Sequence, residues 1–158
     1  MRYAYMVPRY NQLDELLVRI HTVRQRPGWR RRLIDASGSV PTLSTLRVLR
    51  AVEQRAKAGQ SASIGEVAEY MAVEHSTASR TVANVVAAGL LTKTFAAEDQ
   101  RRCVLALTDK GRQALADVTE RRREMVAETV AHWRESDVDT LVDLLEQLVS
   151  DFERSVCS

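Results

Sequence analysis

Hydroxyl, guanidinium and amide side chains are concentrated in one short segment, residues 75–84. At helical spacing, Ala78, Val82 and Val85 fall on one side of this segment, which we expect to be buried. The polar side chains fall on the other side, where they can exchange hydrogen bonds with the bases and phosphates of a DNA duplex: Arg suits guanine, Asn suits adenine, and small residues permit close approach. The candidate DNA contacts are Ser76, Thr77, Ser79, Arg80 and Asn84.

A second group of charged residues follows in residues 93–102. Asp99 lies two positions before Arg101, close enough to orient its guanidinium group. An arginine at the tip of a narrow hairpin suits the negative potential of a minor groove. No acidic residue occurs in residues 75–94, which would face the polyphosphate backbone. The predicted DNA contacts therefore also include Lys93, Asp99, Arg101 and Arg102.

The elements that must position these residues can be read from start and stop signals. Ser63 followed by Glu66 is a capping box and predicts a helix to about Met71. Residues 72–74 form a tight turn, and a second helix spans residues 75–88 before Gly89. Two β-like stretches, residues 90–95 and 102–107, predict a hairpin. This order is typical of a winged helix-turn-helix.

Helices are also predicted on both sides of this module, over residues 11–24, 29–36 and 43–58, from Thr108 to about Arg134, and from about Ser136 onward. The first and last helices have long apolar stripes that so short a chain cannot cover, which predicts a homodimer. The expected interface residues are Leu13, Leu16, Leu17, Leu141, Leu144, Leu145, Leu148 and Phe152.

We therefore predict a mainly α fold with a two-stranded β-hairpin wing and an all-helical dimerisation region from both chain ends. Residues 1–36 and 113–158 would form the dimerisation region, and residues 37–112 the DNA-binding domain. The ends differ in charge. Residues 1–34 carry a net +6 and residues 124–158 a net −7, so they could attract each other within a dimer.

The sequence resembles the MarR (multiple antibiotic resistance regulator) family. The resemblance lies in residues 67–82, in Gly89-Leu90-Leu91, in Asp99-Gln100-Arg101 and in Leu107-Thr108-Asp109-Lys110-Gly111. It implies a homodimer that binds palindromic promoter DNA, often as a repressor released by a small phenolic or anionic ligand. The sequence departs from the family pattern at Glu74, where a capping Ser or Thr is usual, and at His75, where a basic residue is common.

The resemblance also implies a ligand pocket between the dimerisation helices and the DNA-binding module. His21, Trp29, Arg30 and Arg47 come from segments that should border it, and an aromatic ring with cationic donors suits an aromatic acid. Two alternatives remain open. The chain could sense oxidants through Cys103 or Cys157, or it could be a winged-helix adaptor that binds proteins.

Other functional classes lack the residues they require. The 158 residues include 3 His and 2 Cys, with neither metal-ligand spacing nor a nucleophile–base arrangement. We therefore expect no enzyme activity, no metal and no cofactor. No apolar run is long enough to span a bilayer, and the expected location is the cytoplasm. A net charge of +2 is too small to identify a nucleic-acid partner by itself.

Overall fold

The structure is a computed structural model that describes residues 8–35, 38–95 and 103–156. Within these residues the chain is mostly helical with one antiparallel pair of strands, as the sequence predicts, and the fold class is confirmed. The elements are α1 Pro8–Gln25, α2 Pro27–Asp35, α3 Leu43–Lys57, α4 Ile64–Met71, α5 His75–Ala87, β1 Leu91–Phe95, β2 Cys103–Leu107, α6 Asp109–Val130 and α7 Glu135–Val156.

The chain divides into two compact units, residues 1–121 and 122–158. In the first unit α3, α4, α5 and the strands pack together. The core of this unit includes Val48, Leu49, Val67, Val82 and Leu90, which are almost fully buried. The second unit contains the end of α6 and all of α7. The three-part division into residues 1–36, 37–112 and 113–158 stays a prediction.

Side-chain caps fix the starts of the helices that carry the core. Thr42 accepts a hydrogen bond from the Thr45 amide at the start of α3. At α4 the predicted capping box is confirmed. The Ser63 hydroxyl accepts from the Glu66 amide, and the Glu66 carboxylate accepts from the Ser63 amide. Both caps satisfy amide groups that have no partner within a helix.

The boundary between α6 and α7 differs from the sequence expectation, because α6 ends at Val130 and not near Arg134. The Arg134 guanidinium donates two hydrogen bonds of 2.9 Å to the Asp137 carboxylate. Its carbonyl accepts from the Asp137 and Val138 amides at 3.0 and 3.2 Å. Arg134 thus belongs to the start of α7, and Ser136, where the last helix was predicted to begin, lies inside its first turn.

A short hydrogen-bond chain ties the segment between α2 and α3 to α6. The Ser39 hydroxyl donates to the Asp117 carboxylate, and the Gln113 amide group donates to the same carboxylate at 2.8 Å. Both bonds stabilise the charged form of Asp117 and so hold its pKa below its ordinary value. The bond from Ser39 has the larger effect, and the bond from Gln113 the smaller one.

The strands form the predicted hairpin, with Leu91 opposite Leu107 and Phe95 opposite Cys103. The Leu105 amide also donates to the Ala62 carbonyl at 2.8 Å, so the segment before α4 covers the outer edge of β2. Leu91 and Leu105 are buried, which fixes the hairpin base on the core.

The turn between α4 and α5 is tight. Ala72 adopts a left-handed conformation (φ 53°, ψ 50°), and its amide donates to carbonyls in the last turn of α4. Glu74 occupies the N-cap position of α5, but its side chain makes no capping hydrogen bond. The departure seen in the sequence is therefore a real gap in the capping of α5.

The C-terminal end of α5, the hairpin and the start of α6 meet at one junction. The Thr108 hydroxyl donates to the Gly89 carbonyl at 2.7 Å and accepts from the Gly111 amide at 3.0 Å. The Thr108 amide donates to the Leu90 carbonyl at 3.2 Å. A Cβ atom at Gly111 would lie 2.1 Å from the Leu90 carbonyl oxygen, so only glycine allows this approach.

We predict that Gly111→Ala destabilises the fold by about 1–3 kcal/mol or more, because the contact is with backbone that cannot rotate away. Gly28→Ala is the matched control. It also lies in a helix, but a Cβ there meets nothing within 4 Å, and alanine should stabilise α2 by about 0.5–1 kcal/mol. Denaturant unfolding measures both. Equal stability of the two variants would contradict the steric account.

We predict that Glu74→Ser stabilises the protein by about 1 kcal/mol, because serine supplies the missing cap of α5. The melting temperature should rise by roughly 2–4 °C for a chain of this size. Glu74→Gln removes the charge without adding a cap, and should leave thermal stability unchanged or lower it. If the Ser and Gln variants have the same melting temperature, the missing cap does not limit the stability of α5.

Candidate functional site

The outer face of α5 is polar and accessible. Ser76, Thr77, Arg80 and Asn84 are exposed, as the helical spacing predicts. The inner residues Ala78, Val82 and Val85 are buried, which confirms the predicted orientation of the helix.

Two other polar residues of α5 are less accessible. Ser79 is half-buried. Thr81 is also half-buried, and its hydroxyl donates to the Thr77 carbonyl at 2.9 Å. Helical spacing predicts on which side of the helix these side chains lie, but it does not predict how far neighbouring elements cover them.

The hairpin presents one predicted cation. Lys93 is exposed in the middle of β1, on the same side of the strand as Leu91 and Phe95. Phe95 is 63% exposed. The other predicted wing residues, Asp99, Arg101 and Arg102, lie outside the described residues.

Two cations that the sequence analysis missed hold the ends of α5 and β2. The Lys110 ammonium donates to the Ala88 carbonyl at 2.8 Å. Arg112 donates to the Leu107 carbonyl at 2.8 Å and also bonds Asp109. The only sequence signal was their position in the first turn of α6. Their bonds occupy carbonyl groups at the C-terminal end of α5 and at the end of β2.

A cavity of about 680 Å³ lies between α1, α2, α3 and the end of α4. All four residues predicted for a ligand site, His21, Trp29, Arg30 and Arg47, line it. Sequence analysis missed other polar or aromatic lining residues, namely Arg24, Gln25, Arg50 and Tyr70. The spacing of Arg24 from His21 and of Arg50 from Arg47, three residues in each case, was the available signal.

Two contacts position the arginines of this cavity. The Arg24 guanidinium lies over the Trp29 ring, 5.5 Å from its centroid, in a cation–π arrangement. Arg47 donates from Nη2 to the Met71 carbonyl at 2.6 Å, at the last residue of α4. No Asp or Glu lines the cavity within the described residues.

The predicted interface residues lie on apolar surfaces that their own unit leaves uncovered. On α1 in the first unit, Leu13 and Leu16 are exposed and Leu17 is half-buried. On α7 in the second unit, Leu144 is 59% and Phe152 55% exposed. The remaining predicted residues of α7 are Leu141 and Leu145, which are exposed, and Leu148, which is half-buried.

The described residues contain no group of three His, Cys, Asp or Glu side chains that could hold a metal ion. In the same part of the chain, no helix combines the length and apolar character needed to cross a bilayer. Cys103 is half-buried in β2 and forms no disulfide with any residue that the structure describes. Cys157 lies outside the described residues.

Known proteins similar to this chain share its fold. Residues 41–102 match the model of the MarR family. No curated protein is significantly similar in sequence. Among solved structures, a transcriptional regulator from Thermotoga maritima is similar with a TM-score of 0.77 and 22% identity, covering 94% of this chain and 99% of the other.

Two further structures are similar over nearly the whole chain. A MarR family protein from Bacillus stearothermophilus has a TM-score of 0.69 and 18% identity, covering 94% of this chain and 99% of the other. A mutant of S. aureus MepR bound to an oligodeoxyribonucleotide has a TM-score of 0.61 and 19% identity, with coverages of 90% and 97%. The resemblance inferred from the sequence motifs is thereby confirmed: residues 41–102 match the MarR family model, and the chain shares the fold of these structures.

Proposed function

We propose that this protein is a sequence-specific DNA-binding transcriptional regulator. The main observation in support is the polarity of α5: its inner side is buried, and its outer side is polar and exposed. The exposed polar residues are Ser76, Thr77, Arg80 and Asn84. No acidic residue follows in the chain from the start of α5 to Thr94. A helix with such a surface can enter a major groove without repelling phosphate. The solved complex of the similar MepR with an oligodeoxyribonucleotide supports the same use of the fold.

The DNA contacts divide between two elements. The start of α5 reads base edges in the major groove through Ser76, Thr77, Ser79, Arg80 and Asn84. The wing contacts the minor groove and backbone through Lys93, Arg101 and Arg102, with Asp99 orienting Arg101. The amides at the start of α5 lack a side-chain cap and can donate to a phosphate, but the neighbouring Glu74 carboxylate opposes that contact. A regulator that binds promoter DNA acts where that DNA is, which we propose is the cytoplasm.

The regulator acts as a homodimer on a palindromic site. The exposed apolar surfaces of α1 and α7 need a partner to leave water, and a second copy offers the same surfaces by symmetry. The basic N-terminal and acidic C-terminal segments add charge complementarity between copies. A two-fold dimer presents two α5 helices to two half-sites.

The cavity beside α3 gives the regulator its effector site. Its volume lies within the usual range for small ligands, and its lining combines Trp29 and Tyr70 with several cations. An aromatic or anionic ligand bound there favours a conformation of the dimer in which the α5 helices are wrongly spaced for DNA. The protein is accordingly a repressor that such a ligand releases.

The two DNA-reading elements can be separated by salt titration. Arg80→Ala should weaken operator binding by about 1–3 kcal/mol, because the variant cannot bond a base edge at that position. The difference in affinity between operator DNA and random DNA should therefore become smaller. Arg101→Ala should weaken binding to both DNAs and reduce the salt slope by about one for each phosphate that is no longer neutralised. Binding of wild type and each variant to both DNAs measures this, with the operator located by footprinting the promoter beside the protein's own gene.

Wild-type binding by Arg101→Ala at every salt concentration would contradict the role of the wing. If Arg80→Ala weakens binding to operator DNA and to random DNA equally, Arg80 contacts only the DNA backbone and not a base edge. If the wild type itself fails to shift any duplex, the adaptor alternative replaces the DNA-binding proposal.

The dimer is tested at Leu144, which is 59% exposed. Leu144→Asp should leave the helix content unchanged but produce a monomer, because a carboxylate in an apolar interface is not compensated. Light scattering gives the mass, and tight operator binding should disappear with the dimer. Asp143→Asn, at the neighbouring position of α7, is the control and should remain dimeric. A dimeric Leu144→Asp protein with normal DNA affinity would place the interface elsewhere.

A further inference from the structure

The cavity beside α3 has an excess of positive charge that its own lining does not balance. Arg30, Arg47 and Arg50 are half-buried, and His21 and Arg24 lie at its exposed rim. No carboxylate lines the cavity within the described residues. A partly desolvated guanidinium is stabilised by an anion more than by water, so three such groups favour a ligand with more than one negative charge.

The remaining lining is suited to an aromatic ring. Trp29 and Tyr70 provide ring surfaces, and Leu33, Leu43 and Leu46 provide an apolar wall. Arg24 already lies over the Trp29 ring, which fixes the indole beside a cation. A ligand that fits both parts has an apolar ring in the middle and acidic groups at its edge.

Arg47 belongs both to this cavity and to the helix-turn-helix. Its guanidinium lines the cavity and donates to the Met71 carbonyl at 2.6 Å. Met71 is the last residue of α4, and the left-handed Ala72 follows it directly. The carbonyl at a helix end has no partner within the helix, so Arg47 supplies the one that stabilises the start of the turn.

Resting on the regulator function proposed above, we propose that the cavity binds an aromatic ligand with two acidic groups, one of which takes the Arg47 guanidinium from the Met71 carbonyl. A carboxylate accepts from guanidinium more strongly than a neutral carbonyl does. The second acidic group binds at Arg30 and Arg50. Loss of the Arg47 bond loosens the turn before α5, and ligand binding is thereby coupled to the position of α5.

The ligand class is tested with three probes of similar size, benzene-1,3-dicarboxylate, benzoate and benzamide, by calorimetry on the full-length protein. The dicarboxylate should bind about ten-fold or more tightly than benzoate, since one further charge-assisted hydrogen bond is made. Benzamide should bind weakest. Arg50→Gln should largely remove the preference for the dicarboxylate. Arg31→Gln is the control, because it removes a charge from α2 at a position that does not line the cavity.

The coupling through Arg47 is tested by hydrogen exchange at the Ala72 and Val73 amides, which donate to the Glu69 and Ala68 carbonyls. In the wild type, saturating dicarboxylate should speed exchange at these amides several-fold. In Arg47→Gln, exchange should already be fast without a probe and should not respond to it. Arg50→Gln should exchange slowly without a probe, like the wild type.

Several outcomes would overturn the proposal. Equal affinity for dicarboxylate and benzoate would remove the two-acid class, as would binding of none of the probes. Unchanged exchange in Arg47→Gln would remove the coupling. Failure of the regulator function is distinguishable, because it appears as absent DNA binding, or as DNA binding that the bound dicarboxylate leaves unchanged, while calorimetry and exchange still respond.

Discussion

The close approach of Gly111 to the Leu90 carbonyl is the constraint on which the candidate DNA-binding surface depends. It brings the first turn of α6 against the residues that follow α5, and Thr108 then bonds Gly89, Leu90 and Gly111 at once. The end of α5, the base of the hairpin and the start of α6 are therefore fixed by a close backbone approach together with the hydrogen bonds of Thr108. A displacement of the first turn of α6 must be passed to α5, because packed backbone does not deform continuously.

The opposite end of α5 is held much less firmly. The turn before it contains a left-handed alanine and an N-cap residue without a side-chain capping bond. It is held by backbone bonds of Ala72 and Val73 and by a side-chain bond from Arg47 to Met71. Local stability follows the number and burial of such contacts. The helix thus has a rigid C-terminal anchor and a weak N-terminal one, and the weak end carries Ser76 and Thr77.

Local signals in the sequence predicted the elements well. The Ser63–Glu66 pair and Gly89 act within one helical turn, and the structure contains the cap and the left-handed glycine that they indicate. Helical spacing also predicted the buried side of α5. The predicted end of α6 near Arg134 was wrong because the Arg134 side chain bonds to Asp137, in the next helix. Helical spacing does not reveal whether a residue at such a boundary bonds to the helix before it or to the helix after it. The cavity was predicted only in part, since Arg24, Arg50 and Tyr70 meet there from helices far apart in sequence.

The empty cap of α5 has a thermodynamic consequence for the protein. The first amides of the helix have no side-chain acceptor at Glu74, so part of the free energy of forming α5 is left to whatever acceptor arrives from outside. An acceptor oxygen from outside would complete the helix in the way that serine completes others, although a phosphate there meets the exposed Glu74 carboxylate. Folding of the first turn of α5 and occupancy of its partner would then be one linked equilibrium. The first turn of α5 would then be more ordered with an acceptor bound than without one.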